Sequence, residues 1–246
     1  MTSGSSGHIH LIRRMETVSR LDDDDRRVLR ELPMPTRWVT ANSDILREGQ
    51  EPKDCCVVLS GIAARCKVVS GGRRQIVSFH FLGDIPDLQG LLLRKLDHHL
   101  TVLTKTQIGI ISYDAIRAIS HARPNLGDAF HRQSLIEGSI FREWIANVGR
   151  RTALERVSHI FCECFERMRV VGLTEGETFD LPITQSDLAD ALGLSNVHIN
   201  RTMQELKKAD LISSRNKVYT ILNWHRLREV AGFDNAYLHL LRPSTT

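Results

Sequence analysis

Asn196 to Arg201 (N-V-H-I-N-R) place two asparagines, a histidine and an arginine within fewer than two helical turns. These side chains have the chemistry to read base-pair edges. The arginine fork matches guanine O6 and N7, and asparagine matches adenine N6 and N7. That chemistry requires a rigid element that turns them outward. Ile199, Met203 and Leu206 recur at spacings of four and three, which predicts a helix with one buried stripe. Asn196, Val197, His198, Asn200 and Arg201 are left on the outer side near its start. Ser195 is placed to cap that start, since its hydroxyl can accept from a free backbone N–H.

The residues before it predict a second helix at a tight angle. In T-Q-S-D-L-A-D-A-L-G-L-S (184–195), Thr184 is a cap candidate, and Asp187 suits the positive helix end. Leu188 and Leu192 share a face, and Ala189 is small where helices must cross. Gly193 accepts the left-handed backbone that reverses the chain. Two short helices around such a turn make a helix-turn-helix, whose second helix presents its N-terminal residues to the major groove. A helical hairpin that only packs is the competing reading. What favours nucleic acid is the set of base-edge donors and the segment that follows. A-D-L-I-S-S-R-N-K-V-Y-T-I-L (209–222) predicts a β-hairpin with a basic tip around residues 213–217, a wing that can reach phosphate.

The rest of the chain must position this unit. With 246 residues there is room for two domains, and 41% hydrophobic and 25% charged residues are ordinary for a globular protein. A net charge of +4 permits nucleic acid without pointing to it. No apolar run reaches the ~20 residues of a membrane span, and the start lacks a signal-peptide pattern, so a cytoplasmic protein is expected. Residues 2–7 (T-S-G-S-S-G) are expected to be flexible and outside the fold.

Residues 9–32 carry helical patterns, with the acidic run Asp22–Asp25 expected at a solvated helix start. From 36 to 112 the texture changes to short β-like runs, among them C-C-V-V-L, I-A-A-R-C-K-V-V and Q-I-V-S-F-H-F, punctuated by glycines. That predicts a β-sandwich or barrel-like roll. Arg73 and Arg74 are expected in solvent at a hairpin tip. Short helices are expected over 113–120 and 125–131, then a long helix to about Val148 with a break at Gly149. In it Ile136, Ile140, Trp144 and Val148 recur every four residues beside Phe141 and Ile145. That stripe is wide enough to pack on the roll and on a second copy of the helix. A further helix is expected over 152–168 and a loop over 171–178.

Other chemistry is poorly supported. Cys55, Cys56, Cys66, Cys162 and Cys164 lack disulfide-framework or zinc-finger spacing, so reduced and mostly buried thiols are expected. A single exposed thiol would be a redox candidate. His80, His98 and His99 could serve a metal only by converging, and the spaced ligand motif of metal-binding rolls is missing. No H-E-x-x-H, phosphate loop, dinucleotide glycine motif or G-x-S-x-G is present, so neither an enzyme nor a cofactor is expected. The alternative is a metal- or small-ligand-binding β-roll sensor or enzyme whose C-terminal part serves dimerisation or docking.

In order along the chain, L-R-E-G-Q, V-V-L-S-G-I-A, F-L-G-D-I, G-R-R-T-A-L-E-R-V and S-N-V-H-I-N-R-T-M-Q-E-L resemble the Crp/Fnr family of transcription regulators from about residue 15 onward. The resemblance implies an α+β fold. An N-terminal double-stranded, jelly-roll-like β-roll sensor would span 1–123, a dimerisation helix and hinge 124–149, and a C-terminal winged helix-turn-helix 150–246. It implies a homodimer on a palindromic operator in double-stranded DNA, with RNA polymerase as a further partner. Ile136, Ile140, Trp144 and Val148 become the dimer seam. Asn196, Val197, Asn200 and Arg201 occupy base-reading positions, with His198 beside them, and Ser195 and Gln185 fall at phosphate positions. Val197 departs from the family's frequent glutamate. At the effector site Asp87-Leu88 stand where the cyclic-nucleotide binders carry Gly-Glu, and His98-His99 stand where they carry Arg-Ser or Arg-Thr. Leu88 cannot bind ribose and Asp87 would repel a phosphate, so cAMP is not the expected effector. No cysteine precedes Cys55 to build the N-terminal iron–sulfur centre of the oxygen-sensing branch.

Overall fold

A computed structural model describes residues 4–241. Helix α1 (Gly4–Glu16) buries Leu11, Ile12 and Met15. Residues 4–7, expected outside the fold, form its first turn, while 2 and 3 lie outside the described residues. Helix α2 (Asp23–Glu31) starts at Asp22, whose side chain accepts from the Asp25 amide while Asp25 accepts from that of Asp22. The expected solvated start forms for Asp22, Asp23 and Asp24, which are exposed, but not for Asp25. Asp25 is fully buried, and Arg123 pairs with both Asp25 and Asp22, fastening α2 to a later helix junction.

Seven strands follow, and each run read as β-like from the sequence contributes one. They are β1 (Thr36–Val39), β2 (Ser43–Leu46), β3 (Asp54–Val58), β4 (Ala63–Val69), β5 (Arg73–His80), β6 (His99–Val102) and β7 (Thr106–Ser112). They pair antiparallel in two sheets, ordered β1-β7-β3 and β2-β6-β4-β5. Val39, Cys56, Val58, Ala63, Leu100, Val102 and Ile108 fill the space between the sheets. The period-2 alternation of strands sends Cys55 to the other face, among Leu11, Met15 and Leu29.

Helix α3 (Tyr113–Ala122) leads to α4 (Pro124–Arg150), 27 residues that absorb the short helix expected over 125–131. Pro124 at its first position needs no amide partner there. The helix passes through Gly149, and the break falls at Arg151–Thr152 instead, because Thr152 opens the next helix with a reciprocal cap to Glu155. That helix, α5 (Ala153–Val170), is buried from Val157 to Met168, the charged Glu163, Glu166 and Arg167 included.

Two short strands, β8 (Thr174–Glu175) and β9 (Thr178–Asp180), replace the loop expected over 171–178. Then come α6 (Gln185–Leu192), α7 (Asn196–Lys208), β10 (Ile212–Arg215), β11 (Val218–Ile221) and α8 (Trp224–Ala231). β8 and β9 extend the hairpin into a four-stranded wing sheet, β10-β11-β9-β8. Asn216 and Lys217, both in the left-handed region, make the two-residue turn whose twist suits a hairpin.

The largest apolar cluster runs continuously from β4 and β5 through Ile136, Ile140 and Trp144 of α4 into α5, α6, α7 and the wing. Polar side chains cross the same junction. Asp84, just after β5, accepts from Arg14 of α1 (2.6 Å) and Arg167 of α5 (2.9 Å). Arg167 also donates to Glu163 (3.2 Å), which accepts from Trp144 (3.0 Å) and Tyr237 (2.7 Å). Helix α1, the roll, α4, α5 and the C-terminal turn around Tyr237 are thus joined through one buried network.

Candidate nucleic-acid interface

The outward helix α7 is built by local rules. Thr184 caps α6, its hydroxyl accepting from the Asp187 amide at 3.0 Å and Asp187 accepting from that of Thr184 at 2.9 Å. Gly193 ends α6 at φ 62°, ψ 37°, a left-handed conformation costly for residues with a Cβ. Ser195 caps α7, accepting from the His198 amide at 3.3 Å. Its hydroxyl also lies 3.1 Å from His198 Nδ1, which orients the ring. Ile199, Thr202, Met203 and Leu206 face inward.

Gln185, Ser195, Asn196, Val197, His198, Asn200 and Arg201 are placed at the start of α6 (the first) and at the cap and leading turns of α7 (the others), all of them exposed. Among the described residues Arg201 is held only by a loose 3.7 Å pairing with Glu205, both partners more than half exposed, so its fork remains open to a ligand. The first turn of α7 has no carboxylate, although acidic residues there would favour the helix by themselves. Free amides, a positive helix end and outward donors are what an anionic duplex requires. The wing tip adds exposed Arg215 and Lys217.

Behind this face, Arg74 is not in solvent at a hairpin tip. Its guanidinium pairs with Asp187 (2.7 Å) and Asp190 (2.8 Å) of α6, and Gln75 donates to the Ala191 carbonyl at 3.1 Å. The β4–β5 hairpin therefore touches the first reading helix directly. A cavity of about 680 Å³ lies at the same junction, between β4, β5, α4 and Ala191 of α6. Its walls are mainly apolar, including Ile76, Leu93, Phe141, Trp144 and Val148, with Arg65, Glu137 and His98 as polar members. Arg65 is already committed, donating to Glu137 at 2.6 Å and to the Pro86 carbonyl. Burial raises the Glu137 carboxyl, and Arg65 partly offsets that. Sequence reading missed Arg65 and Arg74. The signal available was an arginine inside the apolar run I-A-A-R-C, which can be buried there only with a partner.

Asp87 is buried, and its carboxylate accepts from the Cys56 amide at 3.0 Å. Burial pushes its carboxyl up to about 7, against the pull of that amide. An acid whose pKa is higher folded than unfolded binds protons preferentially in the folded state. Its contribution is therefore lost as pH rises from about 4 through 7. Replacing Asp87 by Asn keeps the acceptor and removes this cost. The stability of Asp87→Asn relative to wild type is expected to rise by about 4 kcal/mol between pH 4 and 8 in urea unfolding. A difference independent of pH would contradict this.

The histidines stay apart as a metal set. His80 bonds Ser78, His98 lies against Asp97 and Gln89, and His99 lies near Asp44. Among the described residues no group of three His, Cys, Asp or Glu is placed to hold a metal. All five cysteines are buried and free, and burial pushes their thiols up, Cys66 to about 11. None is the exposed thiol that a redox switch would need.

On α4, three of the four residues expected at a dimer seam are covered by this chain itself. Ile136, Ile140 and Trp144 are buried in its main apolar cluster, and Val148 is half-buried at the cavity. The stripe faces the roll and α5, whose apolar residues share its cluster. Leu135 and Ile145, at 74% and 69% exposure, are left uncovered by this chain, Ile145 at the edge of the cavity.

Among the described residues no helix is long and apolar enough to cross a membrane. Residues 36–123 match the cyclic nucleotide-binding domain, and residues 155–230 match the Crp-like helix-turn-helix domain. A probable transcriptional activator of Rhizobium leguminosarum bv. viciae is 30% identical over 184 residues, 73% of this chain and 74% of that protein. The transcriptional activator protein FnrL of Cereibacter sphaeroides is 26% identical over 228 residues, 91% of each chain. FixK2 of Bradyrhizobium japonicum shares the fold with a TM-score of 0.73 at 21% identity, over 81% of this chain and 98% of that one. The ordered roll, long helix and capped reading helix, together with these relatives, make this chain a DNA-binding transcription regulator belonging to the Crp/Fnr family.

Proposed function

We propose that the protein acts in the cytoplasm as a homodimer on a two-fold symmetric operator, with the N-terminal part of each α7 in a major groove. The observation that carries this is the capped, carboxylate-free start of α7 with Asn196, Val197, His198, Asn200 and Arg201 exposed together. Arg201 reads guanine, the asparagines read adenine edges, and Ser195 and Gln185 hold phosphate at two helix N-termini. The division into a sensor over 1–123, a dimerisation helix over 124–149 and a reading head over 150–246 follows. RNA polymerase is the further partner of such a regulator. Selection of sites from random duplex DNA by the purified protein should enrich a palindrome. Enrichment of no sequence, with the protein folded and dimeric, would contradict the proposal.

The dimer seam lies on the outer side of α4. Leu135, Gly138, Arg142, Ile145 and Gly149 recur at intervals of three and four, the spacing of a two-helix seam. Leu135 and Ile145 supply the apolar contact, and the glycines let two backbones approach. Ile145→Asp is expected to convert the dimer to monomer in analytical ultracentrifugation at micromolar protein, with melting temperature little changed. A dimer of unaltered affinity would place the seam elsewhere.

A cyclic nucleotide does not fit the cavity. Arg65, its buried cation, is neutralised by Glu137. Asp87 and Leu88, at the positions where the binders carry Gly-Glu, do not line it: Asp87 accepts from the Cys56 amide and Leu88 is buried in a separate apolar cluster. cAMP is therefore expected not to raise the melting temperature. Clear stabilisation by cAMP would overturn this part of the proposal.

A further inference from the structure

Val197 is the most exposed large apolar side chain among the described residues, at 78%. It is the second residue of α7, directly after the Ser195 cap and its neighbour Asn196. With Asn200, Arg201 and Gln204 it forms one stripe of the helix surface, and the other three are polar and exposed. It belongs to none of the apolar clusters of this chain. A β-branched residue has no helix-propensity advantage at such a position. Left in water it contributes nothing to the fold, and it gains free energy only when a partner covers it.

On the floor of a major groove the apolar group is the C5-methyl of thymine. Valine has no donor or acceptor, so it satisfies neither the amino group of cytosine nor the acceptors of guanine. Set against a C·G edge it would strip water from that amino group and return nothing. We propose that Val197 determines specificity by selecting a thymine in each half-site through contact of its methyl groups with the C5-methyl. This rests on the assignment of α7 as the groove-reading helix. The thymine neighbours the guanine chosen by Arg201, which lies one turn further along the same stripe.

The test uses the full chain and the duplex enriched from random DNA. Each thymine of one half-site is replaced in turn by deoxyuridine, which removes the methyl and keeps every hydrogen-bonding group. One position is expected at which the loss weakens wild-type binding about fourfold. Val197→Ala, an exposed change that leaves folding intact, should bind the thymine duplex more weakly and be indifferent to uridine at that position. Val197→Glu, which supplies an acceptor, should shift the preferred base there toward cytosine. An enriched operator at which no thymine methyl matters would overturn this proposal and leave the groove-reading assignment standing. So would a Val197→Ala protein that stays as sensitive to the methyl as wild type. Binding with no enriched sequence at all would overturn the groove-reading assignment, and this proposal with it.

Discussion

Replacing Arg201 by Ala is expected to weaken binding to the operator by ~1–3 kcal/mol per half-site, and so by about 2–6 kcal/mol for a dimer that uses both. The reason is geometric as much as electrostatic. Arg201 is exposed on the face that α7 turns outward, and its ion-pair partner, Glu205, holds it loosely. Its fork can therefore meet guanine O6 and N7 together, which a point charge cannot do. Arg201→Lys should keep most of the binding to unrelated DNA, where charge is what counts, and lose most of the discrimination. Both effects are read from titrations of labelled operator and scrambled duplex at one fixed salt concentration. Equal weakening on both duplexes would reduce Arg201 to a phosphate contact.

The second large effect is on stability. Arg167→Ala is expected to destabilise the protein by ~3–5 kcal/mol, because it strands the buried Glu163 carboxylate and takes one of two cations from Asp84. Asp84 would keep Arg14 and the Phe81 amide, but Glu163 would keep only the neutral donors Trp144 and Tyr237. Arg167 also covers the Phe81 ring, 5.0 Å from its centroid, so packing is lost with the charge. For a chain of this size the melting temperature should fall by roughly 6–20 °C. The network joins the roll to the reading head, so cooperativity should suffer as well as stability. Arg167→Met combined with Glu163→Gln should recover much of the loss, since the cost comes from uncompensated charge. A fall under about 1 kcal/mol in the single variant would contradict this account of the junction.

What the sequence made legible was local. Capping residues, the turn glycine and the 3–4 spacing of Ile199, Met203 and Leu206 act within a few residues, so α6 and α7 could be read directly. The seven strands of the roll were legible for the same reason, as short apolar runs between glycines, whereas β8 and β9 were not. Partnership across the chain was not. Asp25 looked like a solvated helix start because its partner Arg123 lies about a hundred residues away. Arg74 looked like a solvent-exposed hairpin residue because nothing nearby announces Asp187 and Asp190. Periodicity showed that α4 has a broad apolar surface but could not say which side meets its own chain. Ile136 and Trp144 went inward, and Leu135 and Ile145 were left outside. The one long-range signal was chemical. Glu163 within I-F-C-E-C-F and Arg65 within I-A-A-R-C are charges in apolar runs, and such charges are buried only with partners.

The central claim is that one dimer reads two half-sites through its two α7 helices. It is tested most directly by measuring affinity for the selected operator as the half-sites are moved apart. An insertion of about five base pairs turns the second half-site to the far side of the duplex, and affinity is then predicted to fall to that of a single half-site. An insertion of about ten base pairs restores the facing side but adds one helical turn (~34 Å), which a rigid dimer should not span without loss. Affinity unchanged by either insertion, at a stoichiometry of two chains per operator, would contradict the account, because the chains would then be binding as independent readers.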